Sequence, residues 1–181
     1  MSNQVPAWQG PILDNHFHLN RNGRYLDAAH DFKRAGGTNI VLIHCPDFAS
    51  PPTTKEGHRA AYQNTIAMAE SVRTELDLHV RVVLGPHPAA FAHQFIEWVE
   101  QEGAKGKNRA IENYRDSIDE AVKFYHEGKA HAIGEVGRPH WEVSQEIWDL
   151  SNDLLCETMS LAANDGFALQ LHVEGELEST Y

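Results

Sequence analysis

The 181-residue chain is short of cysteine, of positive charge and of long apolar runs. Its two cysteines, Cys45 and Cys156, cannot build a disulfide framework or a four-thiolate zinc site. The expectation is therefore a reducing compartment, the cytoplasm, and no disulfide-linked partner. Lys and Arg total 15 against 26 Asp and Glu, a formal net charge of −11. That balance argues against a broad basic face holding duplex DNA, but leaves room for a pocket where metal ions meet a phosphate. No apolar run approaches the ~18 residues of a membrane span. The opening MSNQVPAWQG has neither the basic nor the apolar region of a secretory signal, so no membrane partner is expected. The length suits one domain over residues 1–181, with no repeat or linker.

Histidine, by contrast, is abundant at 12 residues. It is the commonest metal ligand and the acid or base that titrates nearest neutral pH. With so many, about one H-x-H arises by chance, so position has to carry the argument.

Apolar periodicity alternates between strands and helices. Strands are expected over 11–16, 38–43, 79–84, 130–136 and 167–172, and helices over 24–35, 57–76, 89–102, 111–127 and from a Ser144 cap to Gly166. Residues 103–108 read as a mobile loop, and 175–181 as the first turn of a further helix. Serial βα units predict a parallel sheet with helical crossovers. Two architectures accept this: a complete five-stranded doubly wound sheet, or a (β/α)8 barrel, typically about 250 residues, of which this chain is an incomplete part with about five units.

Each expected strand delivers a histidine or glutamate at its C-terminal end, the face where parallel α/β folds place their sites. His16 and His18 follow the first strand, His44 the second, His87 the third, Glu135 ends the fourth and His172 the fifth. On an extended H-x-H segment both imidazoles project to one side and can reach a single ion at ~2 Å. A carboxylate such as Glu135 can bridge two ions, and His172 can complete the second shell.

Asp14-Asn15-His16-Phe17-His18, Gly85-Pro86-His87-Pro88, Gly134-Glu135-Val136-Gly137 and Gln170-Leu171-His172 occur in that order. Together they resemble the D-x-H-x-H, G-x-H-P, G-E-I-G and fifth-strand histidine of the TatD-related deoxyribonucleases, a branch of the metal-dependent amidohydrolase superfamily. Phe32 to Thr38 and Gly137 to Trp141 look closer to an archaeal-type subgroup. The resemblance implies an incomplete (β/α)8 barrel and a hydrolase in which a metal-activated water attacks a phosphodiester, DNA or another. It implies two divalent ions, with Zn, Mn, Mg, Co, Ni or Fe all compatible with the ligand types. His16 and His18 would hold the first ion, Glu135 would bridge, His172 would hold the second, and His87 would lie beside the substrate phosphate.

Arg138 and His140 are candidate substrate contacts, with a loop salt bridge as the structural alternative. The family also carries a histidine after a sixth strand and a catalytic aspartate after an eighth, both expected beyond Tyr181. The chain is thus expected to be C-terminally truncated, inactive alone and prone to self-association. Glu174 stands where the bacterial pattern has an arginine, and an acidic residue there repels phosphate. Two further readings follow: an amidohydrolase-type C–N or ester hydrolase acting on a small acid, and a non-catalytic metal-binding protein.

Other residues have plainer expectations. Cys45 reads as a buried thiol, His30, His58, His93 and His126 as solvated helix residues, and Lys105, Lys107 and Arg109 as a solvated loop. Trp98, Trp141 and Trp148 read as packing residues, Trp141 with a further option of stacking on a base.

Overall fold

A computed structural model describes residues 8–173. The elements are β1 (Leu13–Phe17), α1 (Leu26–Arg34), β2 (Asn39–Ile43), α2 (Lys55–Leu76) and β3 (His79–Leu84), then α3 (Pro88–Glu102), α4 (Ala104–His126), β4 (Ala132–Gly137), α5 (Gln145–Asp165) and β5 (Leu169–His172). All neighbouring strands pair in parallel, in the spatial order β1-β2-β3-β4-β5.

That order decides between the two architectures. A doubly wound sheet reverses its strand order at a switch point, so that helices cover both faces. Sequential order with right-handed crossovers stacks every helix on one face. The sheet therefore curls into a half-barrel with its helices outside. The incomplete barrel is the fold, and the complete doubly wound alternative is corrected.

The local chemistry explains most boundaries. Thr54 and Ser144 cap α2 and α5 by accepting from the Gly57 and Ile147 amides, each cap contributing about 1 kcal/mol. Gly166 ends α5 in the left-handed conformation that its lack of Cβ permits. Ile40, Leu42, Val80, Val82, Leu84 and Ile133 point to the helix side and bury against Tyr62, Val72, Phe91, Phe95, Trp98 and Phe124. By the two-residue alternation of strands, Ile43 and Val83 are buried on the opposite, concave side.

The expected loop at 103–108 is not a loop. Gly103 alone turns the chain, and α4 begins at Ala104. A Cβ on Gly106 would run into the Trp98 carbonyl, so this glycine permits close packing of α4 on α3 rather than mobility. The three basic residues consequently lie on a helix. Lys107 pairs with Glu146 at 2.7 Å, and Arg109 pairs with Glu102 at 2.8 Å while stacking over the Trp98 ring at 3.9 Å. Among the described residues no helix is long and apolar enough to cross a membrane. Glu174 and the expected helical turn at 175–181 lie outside the described residues.

Candidate metal centre

The C-terminal ends of the parallel strands converge on Glu135. Its side chain is 4% exposed, at the end of an apolar strand whose Ile133 and Val136 fix it in the sheet. Four imidazoles face its two oxygens. His172 Nδ1 lies 2.9 Å and His16 Nε2 3.6 Å from Oε2, while His87 Nε2 lies 3.3 Å and His18 Nε2 3.9 Å from Oε1. Burial by itself would raise the Glu135 pKa, but hydrogen bonds and positive charge from His172 and His87 outweigh it and hold the carboxyl well below its usual range. Glu135 is therefore an anion across the neutral range.

The first pair of candidate ligand atoms is pre-aligned. His16 Nε2 and His18 Nε2 are 3.0 Å apart. With metal–nitrogen bonds of about 2.1 Å, that spacing subtends about 90° at an ion, an ordinary angle between adjacent ligands. The second ring is also set in the right tautomer. His18 Nδ1 is 3.1 Å from the Ile43 carbonyl, which can only accept, so Nδ1 carries the proton and Nε2 presents its lone pair. Asp14 shapes the segment by accepting the His16 amide at 2.9 Å. His16, His18 and Glu135 form one group able to hold a metal ion, and His87, Glu135 and His172 form another.

His87 differs from the other rings in what its second nitrogen does. Its Nδ1 accepts the Ala89 amide at 3.0 Å and so caps α3, directly before Pro88 at the first helical position. A neutral ring accepting at Nδ1 bears its proton on Nε2. Ligation through Nε2 would then require an imidazolate, so His87 is built as a donor and not as a ligand.

The remaining sequence candidates distribute unevenly. His140 joins the cluster, its Nδ1 2.6 Å from His172 Nε2. Arg138 lies in the same loop with its guanidinium 4.9 Å from the Trp148 ring centroid. His44 is buried behind the site and donates Nδ1–H to Thr65 Oγ1 at 2.8 Å, since the Thr65 hydroxyl is directed to the Ala61 carbonyl. Burial, reinforced by His58, His18 and His87, pushes its pKa down to about 3. Cys45 is exposed, contrary to expectation, because the chain alternates and its buried neighbour is His44. Burial and then the Glu135 charge push the thiol pKa up, which argues against a nucleophile.

Two features escaped the sequence reading. His58 is buried, with Nε2 3.0 Å from Asn113 Oδ1. Asn113 and Gln94 both donate to the Pro52 carbonyl, at 3.1 and 3.0 Å, and so hold the long β2–α2 loop against the helices. The signal for His58 was present, because it precedes Tyr62 by four residues and shares its buried stripe. Phe48, 45% exposed on that loop, packs its ring edge-on to His87 at 5.3 Å and forms one wall of the site mouth. Trp141 packs edge-on 5.2 Å from the His140 ring.

A curated relative, the uncharacterized protein MJ1127 of Methanocaldococcus jannaschii, is 29% identical over 174 residues, covering 94% of this chain. The chain spans 58% of that relative's length. No solved structure matches the chain. The sequence model of the TatD related DNase family matches residues 13–181, taking in every strand and each histidine and glutamate gathered at the strand ends, and the chain belongs to that family.

Proposed function

We propose that the chain carries the first half of the active site of a metal-dependent phosphodiester hydrolase. The carrying observation is the buried, anionic Glu135 with a histidine group on each oxygen. In this reading His16 and His18 would hold one divalent ion, His172 would hold the second, and Glu135 would serve both. The donor set of imidazoles and a carboxylate suits Zn, Mn, Co, Ni or Fe, and tolerates Mg. When bound, such a pair of ions polarises a phosphoryl oxygen and makes water nucleophilic near neutral pH.

The protein's own residues do the rest. Glu135 supplies the negative charge that offsets the cations in a largely dry position. His87 directs its Nε2–H into the site, where it donates to a non-bridging phosphate oxygen as negative charge builds there. Phe48 and Trp141 flank the mouth as apolar surfaces for a base or sugar. DNA is the substrate class that the family description supports. The net charge of −11 confines nucleic-acid contact to this mouth rather than to a basic face. Taken alone, the chain is proposed to self-associate, since Leu13 on β1 and Leu171 on β5 are exposed on the outer strands of the described sheet.

The test is hydrolysis of a simple phosphodiester by a metal-stripped whole barrel that contains this chain, before and after adding Mn or Zn, alongside Glu135→Gln, since the chain by itself should not turn over. Metal-restored turnover in the wild type, with two ions bound, and loss of one ion together with turnover in the variant is the expected result. Turnover of amides or lactones instead of the phosphodiester would move the reading to the C–N or ester hydrolases. Tight metal binding without turnover of either would leave a binding protein.

A further inference from the structure

The loop after β4 is anchored so that it can reach back over β5. Gly137 pairs with His172 in the sheet, and a Cβ at Gly137 would collide with the His172 carbonyl, so the two backbones touch there. The Arg138 amide then donates to the His172 carbonyl at 3.4 Å, and Pro139 is fully buried with φ held by its ring. The next residue, His140, is thereby set beside the His172 imidazole. The rings lie 4.8 Å apart and are tilted by 38°, with His140 Nδ1 2.6 Å from His172 Nε2.

His172 has two nitrogens, and their surroundings say which one serves an ion. In the metal-free structure Nδ1–H donates to Glu135 Oε2 at 2.9 Å, and an ion would take that proton's place. With bonds of about 2.1 Å that separation subtends nearly 90°, as for His16 and His18, so both atoms fit one coordination shell. Nε2, on the far side of the ring, has among the described residues the His140 nitrogen at 2.6 Å. Two bonds of about 2.1 Å to atoms that close would subtend only about 75°, too acute for tetrahedral or octahedral ligation. The gap between the two histidines is the width of a hydrogen bond, not of a shared ion.

We infer that His140 is a positioning residue, which accepts from His172 Nε2–H once an ion takes the place of the Nδ1 proton, and so keeps the Nδ1 lone pair on the second ion. This rests on the two-ion reading above. A neutral imidazole carries one N–H, and a ring that ligates through Nδ1 must keep it on Nε2. His140 Nδ1 is the acceptor for that proton, while Trp141 against its edge limits rotation of the His140 ring. This assigns His140 to the metal shell in place of a direct substrate contact. It also gives the Arg138-Pro139-His140 sequence a purpose: the buried proline fixes the reach of the loop.

The test is calorimetric titration of the metal-stripped full chain with Zn, comparing wild type with His140→Phe and His140→Asn. Asn places its amide oxygen where Nδ1 stood and still accepts, whereas Phe fills the space without an acceptor. In the wild type two ions should bind. His140→Phe should weaken the second by about 10- to 100-fold, as loss of such partners does, and leave the first unchanged. His140→Asn should return the second to within a few-fold of wild type. The unchanged first ion reports that the variants are folded. In parallel, nitrogen-15 NMR of the Zn-loaded wild type should find the His172 proton on Nε2.

An unchanged second affinity in His140→Phe overturns the inference. Equal losses in Phe and Asn also overturn it, because they make His140 a ligand. A proton on His172 Nδ1 in the loaded protein does the same. Binding of a single ion by the wild type overturns the two-ion reading itself, a failure visible before any variant is made.

Discussion

His87 Nε2 lies 3.3 Å from Glu135 Oε1 while its Nδ1 caps α3 through the Ala89 amide. One ring thus ties the start of a helix to the centre of the site, and the cap fixes which nitrogen carries the proton. Replacing His87 with Asn separates the two duties. Asn is a good N-cap, so stability should stay within about 0.5 kcal/mol of wild type. The Nε2–H donor is lost, and in the proposed reading phosphodiester turnover by a metal-loaded whole barrel containing this chain should fall about 100-fold. Metal stoichiometry should not change. A lost ion on titration would instead make His87 a ligand and refute the tautomer argument.

The strand ends were legible in the sequence because a parallel sheet sends every C-terminal end to one face. His16, His18, His87, Glu135 and His172 could therefore be grouped from the sequence alone. Strand order could not be read this way, since periodicity fixes what a segment is and not which segment lies beside it. The packing of α4 was hidden for a related reason. Gly103, Gly106 and the intervening lysine look like a flexible linker, yet Gly106 is small because a neighbouring backbone approaches it. The His140–His172 contact was also out of reach, because it depends on how a buried proline directs a three-residue excursion.

Gly106→Ala tests the packed-helix account. In a solvated loop, or on a free helix surface, this change is neutral or stabilising by about 0.5–1 kcal/mol. Here the added methyl meets the Trp98 carbonyl and the Val99 amide, both backbone, which cannot step aside cheaply. Chemical denaturation should show a net loss of about 1–3 kcal/mol. A midpoint at or above the wild-type value would sink the close approach of α3 and α4.

Asn113 is the hub of the buried network behind the site, touching His58, Gln94 and the Pro52 carbonyl. Asn113→Ala leaves His58 Nε2 and Gln94 Oε1 without their partner, while Gln94 still donates to the Pro52 carbonyl, and should cost about 1–3 kcal/mol. The β2–α2 loop should loosen with it. Amide exchange at Asp47 to Ser50 should then rise more than exchange in β3. Uniform acceleration across the chain would show that the network stabilises the fold as a whole and does not tether the loop.

Acid should destabilise the metal-free protein through His44 before its carboxylates titrate. The folded pKa of about 3 lies below the ordinary value of 6.5, chiefly because the ring is buried, with the positive fields of nearby histidines adding to it. Between those two values the unfolded chain binds the proton and the folded chain does not, so stability falls as pH drops through the window. The lowered pKa of His58, again from burial, has the same sign. Glu135 also loses stability on acidification, but only below the ordinary carboxylate range, because its folded pKa is depressed. The slope from His44 approaches about 1.4 kcal/mol per pH unit well below pH 6.5, and the full window corresponds to about 5 kcal/mol. Urea unfolding at pH 7, 6 and 5 should therefore show a steeper loss for wild type than for His44→Asn, which keeps a polar group beside Thr65 but cannot ionise. Parallel pH profiles for the two proteins would mean that His44 is not held neutral in the folded state.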